Sequence, residues 1–168
     1  MHINSTNAAH NIGCGFFNFH ALAWFFYFGG TIMQMTLIKN TDTSASLAYK
    51  IARVVYAQTG ATSLHLVEAM TSMIHNISNV SGMGYLEIVQ NSKIFDVLSD
   101  ASPNHNRLQS PASCRGFQMC VRTAQRMLAG NLPDVCFGAT RFHNDDVIPE
   151  WATARGYIAD IDGVLFYR

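Results

Sequence analysis

Ser46-Leu47-Ala48-Tyr49-Lys50-Ile51-Ala52-Arg53-Val54-Val55-Tyr56-Ala57-Gln58-Thr59-Gly60 is the stretch that decides the fold. Thr43-Ser44-Ala45-Ser46 offers N-caps, and Leu47, Ile51, Val54 and Val55 then recur at helical spacing. At ~100° per residue from Ser46, these apolar side chains span ~80° to ~180° of the helical wheel. Gly60 supplies the left-handed stop. Gln58 falls at ~120°, inside the apolar arc and one turn past Val54 and Val55. A polar side chain there must face the interior or the floor of a cleft.

The pattern continues downstream. A second helix is predicted from Thr62-Ser63 to about Val80, with Val67, Met70, Met73, Ile74 and Ile77 inward. Glu68, Thr71 and His75 lie on its opposite face. A short third helix is expected over Gly84 to Gln90. Asp100-Ala101-Ser102-Pro103-Asn104 is turn chemistry. Ser110-Pro111 reads as an N-cap with proline in the first turn of a helix that ends at Leu128, before Gly130. Phe117, Cys120, Val121, Ala124, Met127 and Leu128 form its core face. Arg115, Arg122 and Arg126 form a solvated stripe opposite. Ala139 to His143 and Tyr157 to Tyr167 read as short strands, with Asp162-Gly163 as a hairpin turn. Helices followed by a small antiparallel sheet make the fold class α+β.

Charge divides the chain. It has 168 residues, and no Asp, Glu, Lys or Arg precedes Lys39. Residues 1–42 therefore read as an uncharged, aromatic-rich leader, and residues 43–168 as the globular domain. Phe16 to Ile38 is long enough for an export signal or anchor, but it lacks the positive n-region such a signal needs. A start codon assigned too early, with Met33 or Met35 as the true start, and a packed N-terminal arm are the other readings. An export signal places the domain in the cell envelope, periplasm or medium; without one it stays in the cytoplasm. A chain beginning at Ser44 is expected to fold as the full chain does, because every capped element lies beyond it.

The composition excludes several classes. Apolar residues make up 49%, enough for a core and too many for disorder. The 11 basic residues balance the 11 acidic ones, so no sequence-wide basic field exists to hold nucleic acid. No glycine-rich phosphate loop, His-Glu-x-x-His or Cys-x-x-Cys occurs, and no cofactor is expected. His143 with Asp145 and Asp146 is a conceivable metal set, but a surface acid pair is the plainer reading. Cys136 and His143 lack a third group to orient the histidine as a base. Cys114 and Cys120 lie ~9 Å apart along one helix, too far for a disulfide.

Several runs then fall in one order. Ala52-Arg53-Val54-Val55-Tyr56-Ala57-Gln58-Thr59-Gly60 is followed by Val67-Glu68-Ala69-Met70, Ile74-His75-Asn76, Phe95 and Pro103-Asn104. Next come Ala129-Gly130-Asn131-Leu132-Pro133-Asp134, Gly138-Ala139-Thr140-Arg141-Phe142-His143-Asn144, Pro149-Glu150-Trp151-Ala152 and Leu165-Phe166-Tyr167-Arg168. In order and spacing this body resembles the SleB-like cell wall hydrolases, the spore cortex-lytic enzyme family. The resemblance covers about residues 45–168. It implies a mainly helical, lysozyme- or lytic-transglycosylase-like domain that cleaves peptidoglycan glycan strands. It also implies one catalytic glutamate at the end of the first helix, where this chain has Gln58.

A carboxyl at that position would be desolvated and its pKa raised, as a general acid at neutral pH requires. An amide has no proton to give at usable pKa. The resemblance puts Phe95, Asp96, Phe142, His143, Asn144 and Trp151 in the substrate cleft with Gln58. Phe95-Asp96-Val97-Leu98 stands where the family has Phe-Ser-Cys-Trp, and Asn76-Ile77 where it has Asn-Arg. Phe142-His143 replaces a Tyr-His pair, and Asp162-Gly163-Val164-Leu165-Phe166 lacks the histidine of Gly-x-His-x-Phe. Three functions follow: a hydrolase working through a substitute acid, with Asp96 better placed than Glu68; an inactive relative that binds glycan; or an interaction domain with a decayed site.

Overall fold

The computed structural model describes residues 46–168. The leader, 1–42, lies outside the described residues. Four α-helices come first, α1 (Leu47–Thr59), α2 (Leu64–Ser81), α3 (Tyr85–Val89) and α4 (Arg115–Leu128). Strands β1 (Arg141–Asn144), β2 (Ala159–Ile161) and β3 (Val164–Tyr167) follow, so the α+β class holds. Among the described residues, the short 3₁₀ turns Asp96–Leu98, His105–Gln109 and Glu150–Ala152 stand where the sequence showed only loop. No helix among the described residues is long and apolar enough to cross a membrane.

Helix α1 starts where its cap predicts, with Ser46 Oγ accepting from the Tyr49 N–H at 3.3 Å. It ends at Gly60, whose φ of 62° is left-handed. Its buried surface is wider than the predicted arc. Ala48, Tyr49, Ile51, Ala52, Val54, Val55, Tyr56 and Ala57 are all buried, because α2, α3 and α4 all pack against it. Small residues permit that closeness. A Cβ on Gly116 of α4 would lie 2.9 Å from both the Ala61 Cβ and a Tyr56 ring carbon. Phe117 meets the Tyr49 ring edge-on at 4.8 Å between centroids.

Helix α4 corrects the reading of Ser110-Pro111. The helix begins four residues later, at Arg115, and its N-cap Cys114 makes no side-chain cap. Arg53 explains the delay. Its guanidinium lies 4.3 Å from the Phe117 ring centroid and donates to the Leu108 carbonyl at 3.1 Å and to the Ser110 carbonyl. The Ser110 carbonyl is thus tied to α1, and the chain turns once more through Pro111–Cys114 before it coils. The other end is as expected. Gly130 donates to the Met127 carbonyl and Asn131 to the Arg126 carbonyl, the two bonds of a Schellman stop.

Helix α2 buries its predicted arc, but the opposite face is not free. Thr71 is fully buried, its hydroxyl donating to the Val67 carbonyl at 2.7 Å. Glu68 pairs with Arg126 at 2.5 Å, so the arginine stripe of α4 is not wholly solvated. His75 Nδ1 meets the Tyr85 hydroxyl at 2.8 Å. A wheel drawn for one helix cannot show neighbours on two sides.

The sheet has the order β1-β3-β2, all antiparallel, with Phe142 opposite Phe166 and Ile161 opposite Val164. Asp162 and Gly163 both have positive φ, 52° and 77°, the geometry of a type I′ hairpin. Ser63, the N-cap of α2, donates to the Asp162 carboxylate and ties the turn to the helices.

Between α4 and β1, Asp134 organises a tight loop. Its carboxylate accepts from the Cys136 N–H at 3.0 Å, the Gly138 N–H at 2.6 Å, the Cys136 thiol at 3.2 Å and Asn76 Nδ2 at 3.3 Å. Partial burial pushes this carboxyl up, but the four donors outweigh it, and its pKa lies below the usual aspartate value. Such a group stabilises the fold above its unfolded pKa and ceases to do so as pH falls through the lower, folded one. Asp134→Asn is expected to cost about 1 kcal/mol at neutral pH. The difference from the parent should close as pH falls below about 4. Denaturant melts at neutral and acid pH check this; a pH-independent difference would assign the cost to shape alone.

Candidate functional site

A groove of about 480 Å³ runs between the end of α1 and the sheet. Gln58 lies at its floor, one residue from the C-terminus of α1. Lys93, Ile94 and Asp96, from the segment after α3, line one part. Phe142, His143 and Asn144 of β1 line another, and Asp146, Val147, Pro149 and Trp151 follow them. Pro103 and Asn104 also reach it. Gln58, Asp96, Phe142, His143, Asn144 and Trp151, expected together from the sequence, therefore share one cavity.

Phe95 does not join them. It is fully buried, with its ring centroid 5.9 Å from that of Phe142. Strand-like backbone at Phe95 sends neighbouring side chains to opposite sides, so Asp96 is exposed while Phe95 points into the core. Phe95 supports the wall and does not form it.

Gln58 is half-buried, and its Oε1 is shielded from solvent with no hydrogen-bond partner among the described residues. A buried, unpaired acceptor costs roughly 1–3 kcal/mol unless something donates to it. A ligand hydroxyl or N–H entering the groove would remove that cost.

His143 is the most constrained group. Its Nδ1 lies 2.7 Å from the Asn144 carbonyl, which only accepts, so that nitrogen carries a proton. Its Nε2 lies 2.9 Å from the Tyr167 hydroxyl. Both nitrogens are committed, and the buried ring stacks on Tyr167 at 5.2 Å. Trp151 meets both rings edge-on, at 5.8 Å from His143 and 5.3 Å from Tyr167. His143 and Tyr167 thus fix Trp151 as a rigid platform at the groove. His143 positions this platform and has no free nitrogen to act as a base.

The carboxylates divide. Asp96 and Asp146 line the groove, and Asp96 Oδ2 accepts from Ser102 Oγ at 3.1 Å. Glu68 is committed to Arg126 and does not line the groove. No group of three or more His, Cys, Asp or Glu able to hold a metal exists among the described residues, so His143, Asp145 and Asp146 form no metal set. Cys136 is buried and bonded to Asp134 and Asn76. Burial first, then the Asp134 carboxylate, push its thiol up to about 12, which leaves it protonated and inert at neutral pH.

The sequence reading missed Lys93 as a lining residue, and nothing in its local pattern distinguishes it from a solvated lysine. Asp146 was legible only as half of a surface acid pair. Comparison with protein families, curated proteins and solved structures finds no match to the chain.

Proposed function

We propose that this domain is a lysozyme-like, cell-wall-directed module that holds peptidoglycan glycan strands in the groove above Gln58. In the chain as written it binds the strand without cleaving it. The observation that carries this reading is the shielded, unpaired Gln58 Oε1 on the floor of a groove that also holds a fixed Trp151. Sugars present hydroxyl donors at their edges and apolar C–H faces. An orphan acceptor beside an aromatic platform suits both.

The chemistry withheld is acid catalysis. In lytic-transglycosylase cleavage one carboxyl protonates the glycosidic oxygen. The same group then takes the proton of the sugar's own hydroxyl as an anhydro ring closes. Gln58 accepts and donates hydrogen bonds but cannot deliver that proton. Asp96 supports a second reading, a hydrolase with a displaced acid, because it lines the same groove. For either role the domain acts in the cell envelope or outside the cell, and residues 1–42 are the route out.

The test is co-sedimentation with purified cell wall, beside a gel-overlay lysis assay. The chain as written should pellet with wall and clear none of it. Trp151→Ala should weaken pelleting about ten-fold, the scale of losing one aromatic anchor. A chain that stays in the supernatant would remove the glycan-binding reading.

A further inference from the structure

A second cavity, of about 500 Å³, lies beside the groove and shares Lys93, Ile94, Phe142 and Trp151 with it. Its character is different. Ile77, Val80 and Ile94 give it an apolar side, and Val80 is 78% exposed. Lys93 and Arg141 are its only charged residues. Neither forms an ion pair among the described residues, whose two bridges are His105–Asp100 and Arg126–Glu68. The Arg141 guanidinium instead lies 5.5 Å from the Trp151 ring centroid, held at the boundary between the two cavities. The groove on the other side of that boundary carries the carboxylates Asp96 and Asp146. Charge thus changes sign across Phe142 and Trp151.

We infer that this second cavity takes an anionic, partly apolar substituent of the bound strand, the acidic peptide stem of peptidoglycan. The inference rests on the glycan-binding reading above. A stem joins the strand through a sugar and carries both apolar side chains and free carboxylates. Such a branch leaving a strand in the groove would meet the apolar wall with its body and Lys93 and Arg141 with its carboxylates. A strand stripped by amidase keeps only the single lactyl carboxylate held close to each muramic sugar, with no apolar body to meet the wall of the cavity and no carboxylates farther out. The acidic groove repels the stem, so the sign change also sets which way the branch leaves. The domain would then favour stem-bearing wall over stripped wall.

The experiment compares full-length chain on intact wall fragments and on amidase-stripped glycan strands, both coupled to beads, because strands without their cross-linking stems no longer sediment. The expected result is about five-fold tighter pelleting on intact wall, the scale of two exposed charge contacts. That preference should shrink as salt is raised. Arg141→Glu should remove most of it while leaving binding to stripped strands unchanged, because Arg141 lines the second cavity and not the groove. Arg141 is exposed, and a melting temperature equal to the parent's shows that the variant is folded. Equal binding of the parent to both walls would overturn the stem pocket and leave the glycan reading standing. So would a charge-reversed variant that loses affinity for both equally. No binding to either wall would overturn both.

Discussion

Gln58→Glu is expected to turn a binding domain into a lytic one. General acid catalysis contributes roughly 10²- to 10⁴-fold, and clearing of purified wall should rise by that order over the chain as written. Affinity for wall should change little, because the two side chains differ by one atom and fill the same space. Stability should also hold, since the new carboxyl can stay neutral on a floor that already shelters an unpaired oxygen. That shelter raises the carboxyl pKa above the ordinary value of about 4.3. Lysis should therefore fall as pH rises through the raised value and the proton is lost. Full lysis by the glutamine form, unchanged in Gln58→Ala, would locate the acid elsewhere, and Asp96→Asn would test the nearest alternative. If Gln58→Glu binds wall and stays silent, the domain is a binding module, and the residues that differ from the SleB-like pattern matter more than the acid.

Phe95→Ala is expected to produce the largest loss of stability, with only an indirect loss of binding. The ring is fully buried and stands behind Phe142. Removing a buried phenylalanine ring costs about 3–5 kcal/mol, the lost transfer energy plus the cavity left behind. For a domain of this size that is a fall in melting temperature of roughly 10–20 °C. Below the new melting point the domain should still pellet with wall, because the groove's own residues are intact. An unchanged melting temperature with lost binding would return Phe95 to the groove surface.

Phe95 also shows what the sequence could and could not reveal. The resemblance put both Phe95 and Asp96 at the cleft, and of the two only Asp96 lines the groove. Which of two adjacent residues faces the ligand depends on a 3₁₀ turn at Asp96–Leu98 that no periodic pattern announces. The caps were legible because they are local. Ser46, Ser63, Gly60 and the Asp162-Gly163 turn all do what their chemistry dictates. Ser110-Pro111 misled for the opposite reason: Arg53, 57 residues away, holds the Ser110 carbonyl. Thr71 looked solvent-facing because a helical wheel shows one helix and not the partners around it. Within the site, Gln58 stood out as a polar residue in an apolar arc. Lys93 and Arg141 did not, because their meaning lies in the carboxylate partners they lack among the described residues.

The packing of α1 has one further consequence. A helix wrapped by three others opens only when the whole domain opens, whereas short strands and loops open separately and more often. Gln58 therefore belongs to the slowest-breathing part of the molecule. The facing loop, from Asp145 to Ile148, hangs from an outer strand by a few backbone bonds, such as Asp145 N–H to the Gly163 carbonyl at 2.9 Å and Val147 N–H to the Asn144 carbonyl at 3.3 Å, while Trp151 beyond it stays fixed. The groove is thus an anvil and a jaw: one side keeps its register through thermal motion, and the other can yield to admit a long polymer from the side.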